Sequence, residues 1–110
     1  MVFKLANVSS RAALVAGDNY FDINTASAGI LPSDPMLALE HADELSRLSA
    51  RLASLEPTGQ LRDVVLDAPI PRPRSSFAVG LNYRNHAEEA GLPIPPATMV
   101  FTKFPSCITG

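Results

Sequence analysis

The fold of the C-terminal part follows from one stretch, FAVGLNYRNHAEE at residues 77–89. Its first five residues are continuously apolar around a small glycine, which is typical of a β-strand buried on both faces. The polar residues that follow predict one or two helical turns over residues 84–90. In such a helix His86 and Glu89 lie on the same face, because residues three apart are neighbours on a helix surface. The pair is therefore interpreted as a general base with the acid that orients and charges its imidazole.

A second strand is predicted beyond a proline-rich bend. Three prolines between residues 93 and 96 make the connection after Gly91 rigid and non-helical. Residues 99–101 then form another candidate for a buried strand, which ends at Lys103. The segment is therefore predicted to run as strand, short helix and strand.

Upstream, the first two dozen residues predict an antiparallel meander. Three short strand-like runs, at residues 2–8, 12–16 and 20–23, are separated by turn residues. Residues 24–33 are predicted to form a loop. The N-terminal part is thus expected to begin with local β-structure.

A long helix is predicted to follow from Asp34 to about Leu55. Aspartate can cap the free amides of a first helical turn, and Pro35 is tolerated there because its missing N–H is not needed. Apolar residues recur at spacings of three and four, which places them on one stripe that should pack on the meander. The stripe consists of Ala38, Ala42, Leu45, Leu48, Leu52 and Leu55.

A domain boundary is predicted close to residue 70. Residues 64–66 offer one more strand, and Pro69, Pro71 and Pro73 then impose an extended, stiff linker. The predicted fold class is α+β. A small domain of meander plus helix occupies residues 1–70, and a second domain begins at residues 71–110.

Composition excludes several functional classes. The 110 residues carry 46% hydrophobic and 18% charged residues and a formal charge of -2, so no basic excess is present to neutralise nucleic-acid phosphates. Apolar runs are far shorter than the 18 or more residues that span a bilayer, and the N-terminus does not resemble a signal peptide. The single Cys107 suits a reducing compartment. These features predict a cytoplasmic protein that binds neither nucleic acid nor membrane.

The pattern histidine, alanine, acid, glutamate occurs twice, beginning at His41 and at His86. His41 falls inside the predicted amphipathic helix among solvated charges, so it is interpreted as a surface residue. His86 instead follows a buried strand, and strand ends are where rigid scaffolds present catalytic side chains. Catalysis is therefore assigned to the second pair.

Several elements of residues 70–110 together resemble the N-terminal part of the fumarylacetoacetate hydrolase superfamily. They are GLNY at residues 80–83, His86 with Glu89, AGLP at residues 90–93, and VFTK at residues 100–103 with a proline two positions on. The upstream meander and helix are similar to the variable N-terminal domain of bacterial members. The resemblance implies that residues 71–110 begin a mixed β-roll catalytic domain, and that the complete protein is a homodimer.

The resemblance also implies the chemistry. Family members bind Mg2+ or Mn2+ and act on short oxo-acids, as in the catabolism of aromatic compounds. His86 and Glu89 match the family's catalytic dyad, and Lys103, Asn82 and Tyr83 become candidates for binding the substrate. The leading expectation is a hydrolase that cleaves carbon–carbon bonds of 1,3-diketo or 2-oxo acids. An oxaloacetate-type decarboxylase and an enol isomerase of the same family remain alternatives.

The sequence lacks a recognisable set of metal ligands. No aspartate or glutamate follows Glu89, and the acids upstream are scattered. Hard divalent cations need several oxygen ligands. We therefore expect the metal ligands to lie outside this chain, in the remainder of the catalytic domain, and the 110 residues alone to be inactive. A non-catalytic interaction module, truncated and paired with a full-length subunit, is a further alternative.

Overall fold

The computed structural model describes residues 2–110 and contains two compact units. The first comprises the chain up to Arg72 together with Ile108–Gly110, and the second is Pro73–Cys107. We call them the N-terminal unit and the hairpin unit and describe each by itself. Both strands and helices are present, so the α+β class is confirmed.

The N-terminal unit contains the predicted antiparallel meander. Strand β1 (Leu5–Val8) pairs with β2 (Arg11–Ala16), and β2 pairs with β3 (Asn19–Asp22). Ser9 and Ser10, which join β1 to β2, have φ angles of 50° and 65°. Two consecutive positive φ angles are the signature of the tight hairpin turn whose twist matches that of the flanking strands. Local turn geometry therefore sets the register of this pair.

Two short strands complete a five-stranded sheet of order β4-β3-β2-β1-β5. Strand β4 (Gly59–Gln60) pairs with β3 and was not predicted. Strand β5 (Leu66–Asp67) pairs with β1, so the predicted strand at residues 64–66 begins later than expected. Each has only two residues, too few to show an alternating pattern in the sequence.

The predicted loop at residues 24–33 overlaps a single helical turn, α1 (Ile23–Ala26). Asp22 caps it, since its side chain accepts a hydrogen bond from the backbone amide of Thr25 at 2.9 Å. A capping acid directly after a strand is the local reason for this turn. The loop prediction was therefore wrong for the first three of these residues.

The long helix begins as predicted but is neither continuous nor as long. Asp34 accepts hydrogen bonds from the amides of Met36 at 2.9 Å and Leu37 at 3.2 Å, which confirms the cap. Helix α2 (Pro35–Ala38) passes into a 3-10 turn at Leu39–His41 before α3 (Ala42–Ser49). The predicted end at Leu55 is wrong, because α3 ends at Ser49. Between Ser49 and Leu55 the chain forms only a separate 3-10 turn, Leu52–Ser54.

The core of the N-terminal unit joins the helical stripe to the meander. Four predicted stripe residues are buried, whereas Ala42 is exposed, because the 3-10 turn before it shifts the helix face. A fully buried aliphatic side chain contributes about 1.5–3 kcal/mol relative to an exposed one, so these contacts hold the helix on the sheet. The buried cluster consists of Ala12, Leu14, Phe21, Ile23, Leu31, Ala38, Leu45, Leu48 and Leu52.

Asp22, the last residue of β3, makes hydrogen bonds to β2 and to the segment before β4. Its carboxylate accepts from the Nε of Arg11 at 2.6 Å and from Nη2 at 3.1 Å, and its backbone amide donates to the hydroxyl of Thr58 at 2.8 Å. Burial alone would raise the pKa of Asp22, but the hydrogen bonds from Arg11 and Thr25 outweigh it, so the pKa is lowered overall. The ionised form is therefore stabilised by folding.

This lowered pKa predicts an acid-dependent stability. A carboxyl whose pKa is lower in the folded state stabilises the fold above its unfolded pKa, about 4, and this contribution is lost as the pH falls through the folded pKa. We expect Asp22→Asn to cost about 1.5–3 kcal/mol at neutral pH, because hydrogen bonds to a charged group are lost, and to flatten the decline in stability below pH 5. Urea unfolding at several pH values measures both. Asp43→Asn, at an exposed position on α3, is the matched control; equal acid dependence in wild type and Asp22→Asn would contradict the assignment.

The hairpin unit contains β6 (Ser76–Gly80), α4 (Arg84–Glu89) and β7 (Met99–Lys103). The two strands pair antiparallel, with Ser76 opposite Lys103 and Gly80 opposite Met99. Both strands were predicted. The prediction that they are buried was wrong for the described residues, since Phe77 is 67% exposed and Val100 is 58% exposed. These exposed side chains belong to a sheet of only two strands, which buries little apolar surface by itself.

Both faces of this hairpin are apolar. Phe77, Val79 and Val100 share one face, while Ala78, Met99 and Phe101 share the other. Exposed apolar patches of this kind are typical of surfaces that another part of a protein covers. None of the helices in residues 2–110 has the length and apolarity needed to span a bilayer.

Candidate active site

The candidate site begins where β6 ends. Leu81 has a φ of 50°, in the left-handed region that costs a bulky residue about 1–2 kcal/mol. This bend redirects the chain into Asn82 and Tyr83. The backbone carbonyl of Tyr83 accepts hydrogen bonds from the amides of His86 at 3.1 Å and Ala87 at 3.3 Å, which starts α4.

Helix α4 ends in a motif that its sequence encodes. Gly91 has a φ of 66°, which suits a residue without a Cβ. The Gly91 amide donates to the carbonyl of Glu88 at 3.0 Å, and the Leu92 amide donates to that of Ala87 at 2.9 Å. This pair of bonds is the Schellman cap, and Pro93 directly after it prevents further helix. The position of Glu89 in the last turn is therefore fixed by local sequence.

His86 and Glu89 both lie on the accessible side of α4. Ala87 between them is only 1% exposed, whereas both candidate side chains are exposed. Within residues 2–110 no hydrogen bond or ion pair joins the imidazole to the carboxylate. Residues at this spacing have Cβ atoms about 5–6 Å apart, so rotation of the side chains can bring the groups together. Their catalytic role stays a prediction.

The other predicted binding residues lie in different parts of the hairpin unit. Asn82 lines an open groove of about 330 Å3. Tyr83 is 74% exposed, and its side chain makes no hydrogen bond to any residue in the described chain. Their roles in binding substrate remain predictions.

Lys103 is separated from Asn82 by the strand register. Because Ser76 is opposite Lys103 and Gly80 is opposite Met99, the two ends are four residues apart. At roughly 3.3 Å per residue this is about 13 Å along the strands. The Lys103 ammonium lies 5.5 Å from the centre of the Phe101 ring, a cation–π contact on the same face. Strand pairing therefore does not bring Lys103 beside Asn82.

The described residues do not fit a metal ion by themselves. No group of three or more histidine, cysteine, aspartate or glutamate side chains is placed to hold one in residues 2–110. Glu88 and Glu89 are adjacent and exposed, but a hard divalent cation takes about six oxygen ligands. The implied Mg2+ or Mn2+ therefore has no complete ligand set here.

The first histidine motif has a different local structure. His41 belongs to the N-terminal unit, where it ends the 3-10 turn and occupies the N-cap position of α3, with φ of −110° and ψ of 43°. His86 lies inside α4. The same four-residue pattern thus produces two different geometries.

Two features of the site were missed by sequence reasoning. The left-handed backbone at Leu81 has no sequence signal, because glycine or asparagine would be expected at such a position. Thr98 lines the same groove as Asn82. The only signal for Thr98 is its place directly before an apolar strand, and its proximity to Asn82 depends on the hairpin register.

The chain is similar in sequence to known proteins, although no protein-family model matches it. The mitochondrial oxaloacetate tautomerase FAHD2A of Bos taurus is 34% identical over 95 residues, which are 86% of this chain and 30% of that protein. Oxaloacetate tautomerase YisK of Bacillus subtilis is 49% identical over 53 residues, which are 46% of this chain and 18% of that protein.

A solved structure is also similar. The crystal structure of an HpcE-like protein from Mycobacterium smegmatis superposes with a TM-score of 0.74 at 37% sequence identity. The match covers 96% of this chain and 37% of that one. The chain therefore spans well under half the length of each of these three proteins.

Proposed function

Because the chain belongs to the fumarylacetoacetate hydrolase superfamily, we propose that it is part of an enzyme that interconverts the keto and enol forms of a short 2-oxo acid. Oxaloacetate is the leading candidate. This reaction is supported by the similarity of the chain to a relative named as an oxaloacetate tautomerase. The similarity extends over 95 residues, which are 86% of the chain and therefore include His86 and Glu89. The names of the relatives favour the enol isomerase alternative over the carbon–carbon hydrolase.

His86 is proposed as the group that moves the proton. In the keto form its neutral imidazole removes a proton from the carbon between the oxo and carboxyl groups. The electron pair of that C–H bond forms the carbon–carbon double bond of the enol, the oxo oxygen takes a proton from water, and the imidazolium releases its proton to solvent. The reverse reaction returns a proton to carbon, so no atom or electron is gained or lost. Exposure of His86 on α4 supports this role, because a substrate can reach it.

Glu89 is proposed to stabilise the imidazolium that forms in this step. Its place three residues after His86, on the accessible side of α4, supports this role. A carboxylate beside a histidine fixes the ring tautomer and favours the charged form. The carboxylate thus lowers the cost of taking the proton from a weak carbon acid.

A metal ion, when bound, would polarise the oxo group of the substrate. The described residues do not form its ligand set, so every step above runs through this chain's own side chains. We propose that residues outside this 110-residue chain hold the Mg2+ or Mn2+ ion.

We also propose that the remainder of a mixed β-roll catalytic domain covers the hairpin and that the complete protein is a homodimer. The apolar character of both hairpin faces supports the first of these, since Phe77 and Phe101 are 67% and 46% exposed. Burying such side chains removes apolar surface from water at about 25 cal/mol per Å2. A covering layer is therefore strongly favoured.

The proposed function predicts a reaction without net consumption of substrate. The complete protein is expected to accelerate the approach of oxaloacetate to its keto–enol equilibrium, because a positioned general base speeds proton transfer from carbon by about 100-fold or more. Ultraviolet absorbance of the enol follows the rate, and pyruvate is measured in the same samples. The protein with His41→Ala is the control and should retain the rate.

Four outcomes separate the candidate functions. Faster interconversion with no pyruvate supports the tautomerase. Stoichiometric pyruvate from oxaloacetate identifies a decarboxylase instead, and cleavage of acylpyruvates identifies a hydrolase. Absence of any effect on oxaloacetate and acylpyruvates contradicts an enzymatic function and favours the interaction module.

A further inference from the structure

The hairpin unit contains a groove that has no part in the proton transfer proposed for His86 and Glu89. It measures about 330 Å3 and lies between the end of β6, residues 79–82, and the proline-rich loop, residues 94–99. Pockets for small molecules begin at about 300 Å3. A four-carbon oxo-acid is well within this size, so the groove can accept one end or all of such a molecule.

The backbone that forms one wall is strained. Leu81 holds a φ of 50° although its branched side chain disfavours this conformation. Backbone strain of this kind is retained where the surrounding structure requires it and is concentrated at ligand-binding positions. Here the bend turns the chain out of the sheet and places Asn82 on the groove wall.

The opposite wall is rigid and supplies a second polar group. Pro95 and Pro96 restrict the loop, since each ring fixes its own φ angle. Thr98 follows them, directly before the first paired residue of β7. A hydroxyl on such a wall is held in place with little loss of entropy when it binds a ligand.

The chemical character of the lining selects the ligand. Asn82 and Thr98 are the only residues of the lining whose side chains can donate a hydrogen bond, and no ionisable side chain is among the lining residues. Within residues 2–110 neither of the two makes a side-chain hydrogen bond, so both remain available. The side-chain N–H of Asn82 and the hydroxyl of Thr98 can donate hydrogen bonds to carboxylate and oxo oxygens, whereas a divalent cation would find no carboxylate in this lining.

We infer that this groove is a subsite for the carboxylate or oxo end of a short 2-oxo acid, with Thr98 as a substrate-contacting residue beside Asn82. This inference rests on the proposed function, because the substrate class comes from there. It adds Thr98 and the proline-rich loop as the elements that select the substrate, whereas His86 performs the proton transfer.

The test measures binding apart from turnover. Pyruvate, a 2-oxo acid without a second carboxylate, is titrated calorimetrically into the complete protein and into two variants. Thr98→Val keeps the shape of the side chain but removes its hydroxyl, and we expect the Kd for pyruvate to rise about tenfold. Thr98→Ser keeps a hydroxyl and should stay within about twofold of wild type. Unfolding temperatures of the three proteins check that each is folded.

Kinetics with oxaloacetate give a second measurement. Loss of a contact made equally in the ground and transition states raises KM and leaves kcat near the wild-type value. We therefore expect Thr98→Val to raise KM for oxaloacetate without a matching fall in kcat.

The outcomes distinguish this inference from the proposed function. Equal pyruvate affinity in wild type and Thr98→Val, or no binding of pyruvate to the wild type, overturns the subsite even if tautomerase activity is present. Weaker binding in Thr98→Val together with no tautomerase activity supports the subsite and removes the proposed reaction.

Discussion

Replacing His86 with alanine in the complete protein is expected to lower kcat for keto–enol interconversion by about 100-fold or more. The imidazole is proposed as the base that takes the proton from carbon, and alanine has no group that can do so. His86 is exposed and makes no side-chain hydrogen bond within residues 2–110, so its removal should leave the fold unchanged. Stopped-flow absorbance of the enol measures the rate, and circular dichroism checks the fold.

The chain offers a matched control for this substitution. His41 begins the same four-residue pattern but lies at the N-cap position of α3 in the N-terminal unit. His41→Ala should leave kcat within about twofold of wild type, because a surface substitution away from the chemistry has little effect. Equal activity of His86→Ala and wild type would show that His86 is not the base. Loss of activity in His41→Ala alone would transfer the role to the other motif.

Replacing Leu45 with alanine is expected to destabilise the N-terminal unit by about 2–5 kcal/mol. Leu45 is fully buried, at 0% exposure, in the cluster that joins α3 to the sheet. Alanine removes three carbon atoms and leaves a cavity that the neighbours fill only in part. A loss of this size is a large fraction of the 5–15 kcal/mol that holds a typical domain folded.

Hydrogen exchange of the β2 amides in the complete protein measures this effect locally, because it reports opening of the sheet. Leu37→Ala is the matched control, since Leu37 lies in α2 and is 51% exposed. The control should change the free energy of opening by less than about 0.5 kcal/mol. Similar effects of the two substitutions would show that the cluster is not the core of the unit.

The parts of the fold that depend on local chemistry were predictable. Ser9 and Ser10 separate the first two predicted strands, and the structure has a tight turn there with two positive φ angles. Asp34 was predicted as a helix cap and accepts the two expected amide bonds. In each case the interacting groups are within a few residues of one another, so the sequence pattern contains the whole interaction.

Some of the predictions that failed depend on contacts between distant residues. Strand β4 has two residues and exists because it pairs with β3, about forty positions earlier in the chain. The long helix was predicted to continue to Leu55, but it contains a 3-10 turn at Leu39–His41 and ends at Ser49. Apolar spacing identified Leu52 as buried without revealing that the helix had already ended. Periodicity detects a face that is buried, not the continuity of the backbone beneath it.

The candidate site shows the same division. The placement of His86 and Glu89 on one helix, ended by Gly91, follows from neighbouring residues. The groove shared by Asn82 and Thr98 and the separation of Lys103 from them follow from strand register. Register is a long-range property that a single strand sequence does not specify.

Short-range patterns were sufficient to predict the α+β class, the meander, the short helix that carries the histidine and glutamate, and the family resemblance, because turns, caps and motifs act over a few residues. The pairing of the strands, the exposure of apolar side chains in the hairpin unit and the groove shared by two polar side chains became evident only in the folded chain. Those outcomes depend on how segments far apart in the chain align and pack, and each alignment is set by all of its contacts together rather than by any one residue.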